Sequence, residues 1–527
     1  MLPAVLQDGP AIEAAAFLID NVDLPEFRNA LAEIAHAGYS EAQVRDRLGL
    51  ADLADIRWKA LPIYREERLA VRDALALAIE LFLLQGAVPA SELHALFTAP
   101  SRDVLLRTGV LFIDPAGLAR ARASLFPVGD RLIFSDHAWH KLPHPGYKTV
   151  PSDQVMFVGK DSRGLARATV RRPVRAALDL CTGSGIQALL AASHSERVLA
   201  VDINPRAARC ARFNARVSGA DNVEIVVGDL FAPVGGAGRF DLITANPPFV
   251  PSPLDELLFR DGGRSGEAIQ QRIVAGLPRH LAPGGIAQLV TELGEREGEP
   301  IVTRVRQWLE GAPMDIHILR LFAHSAADYS MGHATGDNDF GEYLESVRAW
   351  AGNLRKHGYA RVVSVLIAFQ WSDLALGPPW ERVEESQPPQ RDAGSEVQAA
   401  FSLERLARTR NRAATPDRRV DHAIDRWVSR AGPVALFESR VLGTQIRAAT
   451  RATLLGRALS VEHHLDPVES QILGRLETPV AVSELLTIAA ACNIDEKAIL
   501  AAIDSLQCRG LVYVMDIQGG PGPQPHV

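Results

Sequence analysis

Residues 178–192 read LDLCTGSGIQALLAA. An apolar run carries Asp179 near its end, turns through Cys181-Thr182-Gly183-Ser184-Gly185, and resumes as an apolar stretch at helical spacing. Strand, tight glycine turn and helix in that order bring the backbone close to a ligand at a helix N-terminus, as in doubly wound α/β folds. Taken alone the segment is turn chemistry as much as a binding site. The third glycine of the dinucleotide fingerprint is absent, since Ala188 stands at its position.

The strands that follow give the turn its context. VLAVDINP carries Asp202, 19 residues beyond Gly183, where an acid accepts hydrogen bonds from both hydroxyls of a ribose. VEIVVGDLF then puts Asp229 at the tip of a third strand, a position suited to reading an adenine amino group. FDLITANPPF ends a fourth strand in Asn246-Pro247-Pro248-Phe249. Three acids at three consecutive strand ends exceed what helix capping alone requires.

The order D-L-C-T-G-S-G, V-D-I-N-P, G-D-L-F, N-P-P-F resembles class I S-adenosylmethionine-dependent N-methyltransferases. That group includes release-factor glutamine methyltransferases of the HemK/PrmC type and the N6-adenine and guanine-N2 methyltransferases. The resemblance covers roughly residues 150–300, and FRDGGRSGEAIQQRIV (259–274) is similar to the G-G-x-x-G helix start that follows this motif in release-factor enzymes. It implies a Rossmann-like, mainly parallel seven-stranded sheet with S-adenosyl-L-methionine as cofactor. On this chain it assigns Asp179, Thr182, Gly183, Gly185, Asp202, Ile203, Asp229, Leu230 and Asn246 to the cofactor side. Asn246, Pro247 and Phe249 fall on the catalytic side.

Physical chemistry gives NPPF its purpose. The lone pair of an amide or aromatic amine nitrogen is delocalised, so the nitrogen must be held close to the electrophilic methyl and helped to pyramidalise. The Asn246 carbonyl oxygen accepts one N–H and the Pro247 carbonyl the other, with proline rigidity fixing both acceptors. Those dipoles stabilise the positive charge that develops on nitrogen. Phe249 would stack on the planar group carrying it.

The 527 residues hold 56 Lys plus Arg against 63 Asp plus Glu, a formal charge of −7, with 47% hydrophobic residues. Such a chain buries several cores and is no general polyanion binder. No apolar run suits a membrane span and the N-terminus lacks a basic segment, which favours the cytoplasm. Cys181, Cys210, Cys492 and Cys508 form no C-x-x-C pair, which argues against zinc or a disulfide framework and reads them as apolar fillers.

We expect a helical N-terminal domain over 1–125, a methyltransferase domain over 126–375 and a Pro-rich, charged linker over 376–396. A C-terminal domain over 397–527 follows, with a winged-helix-like part at 466–515 and a tail GGPGPQPHV. VMFVGK (155–160) reads as a strand. No internal repeat is visible. The flanking domains and the insertion HSAADYSMGHATGDNDF (324–340) have no counterpart in a minimal release-factor enzyme, so substrate identity does not carry over.

Secondary candidates are weaker. His137, His140 and His144 are irregularly spaced and read as structural rather than metal ligands. Tyr329, Ser330 and His333 sit where a lid or acceptor pocket forms as readily as a surface loop. Asp161 and Ser162 resemble the segment that closes over the cofactor in such enzymes. The arginines between Arg405 and Arg430 are interleaved with acids and read as a solvated face. The last helical segment offers only Lys497 and Arg509 as cations, unlike a DNA-reading helix. The leading expectation is N-methylation of a glutamine or related amide in a protein, peptide or small molecule, favoured over nucleic acid. The alternatives are an exocyclic amine of an RNA or DNA base, and a winged-helix regulator that keeps a degenerate cofactor fold as a sensor.

Overall fold

The computed structural model describes residues 23–137, 152–236, 238–254, 257–335, 339–413, 426–441, 447–454, 457–492 and 494–516. The expected positions His140 and His144, much of the arginine-rich stretch and the C-terminal tail lie outside these residues.

One sheet organises the centre of the molecule. Strands β6 (Val174–Leu180), β7 (Ser195–Asp202), β8 (Val223–Val227), β9 (Phe240–Ala245), β10 (Leu281–Glu295), β11 (Met314–Ser325) and β12 (Arg361–Trp371) stand in the order β11-β12-β10-β9-β6-β7-β8. β8, β7, β6, β9 and β10 run parallel, while β12 is antiparallel to both β10 and β11. This is the Rossmann-like sheet that the resemblance implies, with crossover helices on both faces as parallel strands require.

Apolar residues alternate between the faces. Leu178, Leu180, Ile243, Ala245, Leu289 and Ile367 form a core under the helices Ala268–His280 and Ile301–Trp308. Ala177, Ala200, Leu242, Val290, Leu366 and Ala368 form the other, under Lys160–Ala168, Ile186–Ala192 and Gly394–Ala413.

The proposed linker at 376–396 is corrected. Its residues 381–386 form β13 (Glu381–Ser386), which pairs in parallel with β11 from Ile316↔Glu381 to Arg320↔Glu385. The alternating pattern ERVEES was masked in the sequence by the prolines on either side. The sheet continues past it through β17 (Val461–Leu465), β16 (Arg447–Leu454) and β15 (Val434–Val441), making eleven strands among the described residues in place of seven. The helix Gly394–Ala413 packs on the same sheet, and a side chain at Gly394 would collide with the Thr169 carbonyl oxygen at 2.2 Å.

VMFVGK is likewise no strand. Residues 154–159 are irregular and lead into the helix Lys160–Ala168. Val155, Phe157 and Val158 are buried in the N-terminal core, so their apolar run reflects burial and not sheet pairing.

The segment expected to be helical, 1–125, contains strands as well among its described residues. Helices Leu24–His36, Glu41–Leu48, Ala74–Phe82 and Ala99–Arg107 accompany β1 (Val88–Pro89), β2 (Leu111–Ile113) and β3 (Leu118–Ala121), which form a small sheet. A hairpin of β4 (Ser124–Val128) and β5 (Arg131–Ser135) follows. These elements share one core with Ile186, Leu189 and Phe213 of the helices Ile186–Ala192 and Pro205–Ser218 that flank the central sheet.

Buried ion pairs fix that junction. Arg163, 2% exposed, lies 2.8 Å from Glu41, and Arg167 reaches Glu41 and Asp52, each at 2.6 Å. Such pairs specify a docking geometry, and losing one partner leaves an uncompensated buried charge.

At the other end, β14 (Arg426–Arg430), β18 (Val480–Ala481) and β19 (Val512–Asp516) form a three-stranded sheet with helices Pro467–Arg475, Val482–Ala491 and Glu496–Cys508. No described helix is long and apolar enough to cross a membrane. Of the four free cysteines Cys210 is buried as a filler would be, whereas Cys492 is exposed, contrary to the expectation for it.

Candidate functional site

The tips of β6, β7, β8 and β9 converge at the C-terminal edge of the parallel strands, where ligands bind in open α/β sheets. Asp179 pairs in register with Thr244, and its carboxylate accepts from Thr182 Oγ1 at 2.6 Å and Thr244 Oγ1 at 2.8 Å. Burial lifts the Asp179 carboxyl to about 7 against the pull of those hydroxyls. Asp179 thus ties the glycine turn to β9.

Asp202 holds the other side of the turn. Its oxygens accept the N–H of Gly183 at 2.8 Å and that of Asn204 at 2.9 Å. Burial raises its carboxyl, while these two bonds favour the ionised form. Gly185 has φ +86°, and a Cβ there would lie 3.1 Å from Ala211, so the turn needs glycine on both counts.

The surroundings fit S-adenosylmethionine. A Cβ built on Gly183 would meet nothing within 4 Å, so open space lies over the turn. Ile203 is 53% exposed directly after Asp202, a free apolar surface beside a carboxylate that retains acceptor capacity for hydroxyls. Leu230, in a left-handed conformation at φ 49°, is buried one residue beyond Asp229. The Asp229 carboxylate is engaged by Arg272 at 2.6 Å. Arg272 belongs to the helix that follows the G-G-x-x-G segment, a partner the sequence reading missed.

Asn246 leaves β9 beside the first turn of the helix Lys160–Ala168. Its Nδ2 donates to Ser162 Oγ at 3.1 Å, which directs the amide nitrogen to the helix and leaves Oδ1 free to accept. The Ser162 carbonyl accepts from Gln187 Nε2 at 2.9 Å, and Ser162 is 6% exposed. The helix carrying Ser162 also carries Arg163 and Arg167, so the N-terminal ion pairs set the position of the Asn246 amide.

Phe249 departs from expectation. It is 8% exposed and packs with Val250, Tyr329, Trp350, Leu354, Tyr359 and Val362. Instead of offering a free face to an acceptor it anchors the loop behind Asn246. Phe249 and Val250 both donate backbone N–H groups to the Arg260 carbonyl. Side chains at Gly262 and Gly266 would strike the Phe249 backbone at 2.8 and 2.5 Å, which explains the glycines of this segment.

Within the insertion Ala326–His333 forms a helix, and with the helix Phe340–Lys356 it supplies this packing. Tyr329 is 2% exposed, stacks on His333 at 4.1 Å and donates its hydroxyl to Glu292 Oε2 at 2.6 Å. Burial and the nearby Asp161 raise the Glu292 carboxyl to about 8. Glu292 escaped the sequence reading because GIAQLVTEL presents it as one polar residue closing an apolar strand. Asp161 and Ser162 do come to the site, whereas Ser330 bonds within its helix to the Ala326 carbonyl. His137 is buried against Ser124 and the Ala121 carbonyl. Among the described residues no His, Cys, Asp or Glu cluster suits a metal.

Residues 158–296 match the family model described as the methyltransferase small domain. A ribosomal protein uL3 glutamine methyltransferase of Bradyrhizobium diazoefficiens is 41% identical over 23% of this chain and 41% of its own length. A candidate protein N5-glutamine methyltransferase of Methanocaldococcus jannaschii is 31% identical over 29% of this chain and 80% of its own. A release factor glutamine methyltransferase of Geobacter sulfurreducens is 33% identical over 30% and 59%, respectively. The chain therefore spans between two fifths and four fifths of the length of these relatives.

Proposed function

Because the chain belongs to the class I S-adenosylmethionine-dependent methyltransferases that carry the methyltransferase small domain, we propose that it methylates a glutamine amide nitrogen in a protein or peptide. The observation that carries this reading is the Asn246 amide, held by Ser162 with its carbonyl oxygen free. The names of the relatives support the choice of acceptor.

Asp202 would hold the ribose, Ile203 an adenine face and the backbone at Asp229–Leu230 the adenine edge, with the Gly183–Gly185 turn on the chain between them. Asp179 acts at one remove by fixing Thr182. S-adenosylmethionine, when bound, supplies a sulfonium methyl whose C–S electron pair stays on sulfur as the nitrogen lone pair forms the C–N bond and one N–H proton is released. Asn246 Oδ1 and the Pro247 carbonyl accept the two N–H groups and orient the lone pair, with no reorganisation needed as charge develops.

We read residues 466–515 as a winged-helix-like module, supported by the order helix, strand, helix, helix, strand. Residues 74–121 repeat that order with a further strand. Both modules serve on this reading to present the acceptor protein.

The test is transfer of labelled methyl from S-adenosylmethionine to fractionated cell protein, RNA and small molecules, with and without nuclease. Nuclease-resistant label in protein, released as N5-methylglutamine on digestion, is the expected result. Label confined to RNA or DNA would replace the amide with a base amine.

A further inference from the structure

Glu292 occupies a position that the cofactor and NPPF motifs leave unassigned. Ala245, the last residue of β9, pairs with Leu289 of β10, so β10 continues beyond β9 alongside Asn246-Pro247-Pro248. Glu292 lies one strand over from Asn246 and two residues further along. Asp161, next to the Ser162 that holds Asn246, acts on it from the helix Lys160–Ala168. Tyr329, packed with Phe249, holds it from the helix Ala326–His333. Three elements that build the acceptor side therefore meet at this one carboxyl.

We propose that Glu292 is the specificity-determining residue of the acceptor pocket: carrying its proton, it donates a hydrogen bond to the carbonyl oxygen of an amide whose N–H groups are taken by Asn246 and Pro247. The inference rests on the amide reading above and adds the group that recognises the other end of the amide. A neutral amide needs two acceptors at nitrogen and one donor at oxygen, and Asn246 and Pro247 supply only the acceptors.

The bond from Tyr329 favours the ionised form of Glu292, and burial together with the Asp161 charge outweighs it. Tyr329 lies in an apolar cluster that holds its hydroxyl well above the usual phenol range, so it remains the donor to Glu292 Oε2. A carboxylic acid then carries its own hydrogen on the second oxygen. Among the described residues the Glu292 carboxyl is bonded by Tyr329 at Oε2, and Glu292 is half-buried. Asp161 and Tyr329 act on Glu292 directly, and Arg260, His333 and His324 stand around Tyr329. The partial burial of Glu292, with the Asp161 charge, raises its carboxyl to about 8, toward the protonated form. The same charge opposes a glutamate or a phosphate-bearing acceptor. A site built to pair with a substrate polar atom rejects analogues that lack it.

The experiment compares wild type, Glu292→Gln and Glu292→Ala, using labelled transfer into the nuclease-treated protein fraction at limiting acceptor across a pH series. The rate reads kcat/KM. Glutamine keeps an N–H donor and cannot ionise. Expected are a wild-type rate that falls as pH rises through about 8, a Glu292→Gln rate that is flat there, and a loss of about tenfold or more in Glu292→Ala. A wild-type rate that rises with pH, together with an inactive Glu292→Gln, would make Glu292 a proton acceptor and overturn the proposal while leaving the amide reading intact. Infrared difference spectra of wild type against Glu292→Gln, taken without any acceptor, must show a carboxylic acid at neutral pH. An ionised carboxylate there overturns the proposal whatever the activity. Label found in nucleic acid overturns both readings and is told apart by the fraction that carries it.

Discussion

The Asn246 side chain donates to the hydroxyl of Ser162, 84 residues earlier in the chain, at 3.1 Å. In this arrangement the amide nitrogen is turned toward the helix and Oδ1 away from it. Ser162→Ala frees that rotation. We expect kcat to fall by about tenfold, the effect of one lost hydrogen bond of roughly 1 to 1.5 kcal/mol, with cofactor affinity unchanged. Steady-state kinetics beside calorimetry check the split, and an equal loss in both would place Ser162 on the cofactor.

Asp202→Ala removes the carboxylate that binds Gly183 and Asn204 and is free to meet ribose hydroxyls. Cofactor affinity should drop by roughly 2 to 4 kcal/mol, the range for losing two charge-assisted hydrogen bonds. Titration calorimetry reads it directly. Unchanged affinity would remove Asp202 from the cofactor site.

Phe249 distinguishes packing from stacking. Phe249→Leu should lower stability by about 1 to 2 kcal/mol, as a volume-reducing core change does, with turnover nearly preserved. A stable variant with little turnover would restore the expectation that the ring stacks on the acceptor.

The junction between the central sheet and its C-terminal extension should be sensitive to acid. Glu384 lies between His317 at 2.7 Å and His463 at 3.4 Å. Burial alone would raise its carboxyl, but the bonds from both histidines, with Arg382 nearby, hold it well below the usual range. A depressed carboxyl stabilises the fold above its unfolded value and loses that contribution as pH falls through the folded value. Glu384→Gln should therefore lower stability by about 1 to 3 kcal/mol at neutral pH, and the gap should close on acidification. Thermal unfolding at several pH values tests this, and a gap independent of pH would contradict it.

Much of this site was legible in the sequence because its parts are local. The glycine turn, Asp202 and Asn246 each sit where a strand pattern stops, and strand ends are visible in a single sequence. What stayed hidden depends on distant pairing. Glu292 matters because of Tyr329, and Arg272 because of Asp229, contacts that no local period reveals. β13 was lost for a related reason: Pro378, Pro379, Pro388 and Pro389 signal a linker, yet six residues between them suffice to extend a sheet. VMFVGK failed in the opposite direction, since an apolar run buried by packing looks the same as a strand.

The central claim is that Asn246 acts on the acceptor and not on the cofactor. It is tested most directly by measuring cofactor binding and methyl transfer on the same Asn246→Ala preparation. The account predicts binding within about twofold of wild type and transfer reduced by about two orders of magnitude or more, the effect of removing one preorganised transition-state partner. Full transfer to the same acceptor by Asn246→Ala would contradict it and point to an acceptor held by other residues.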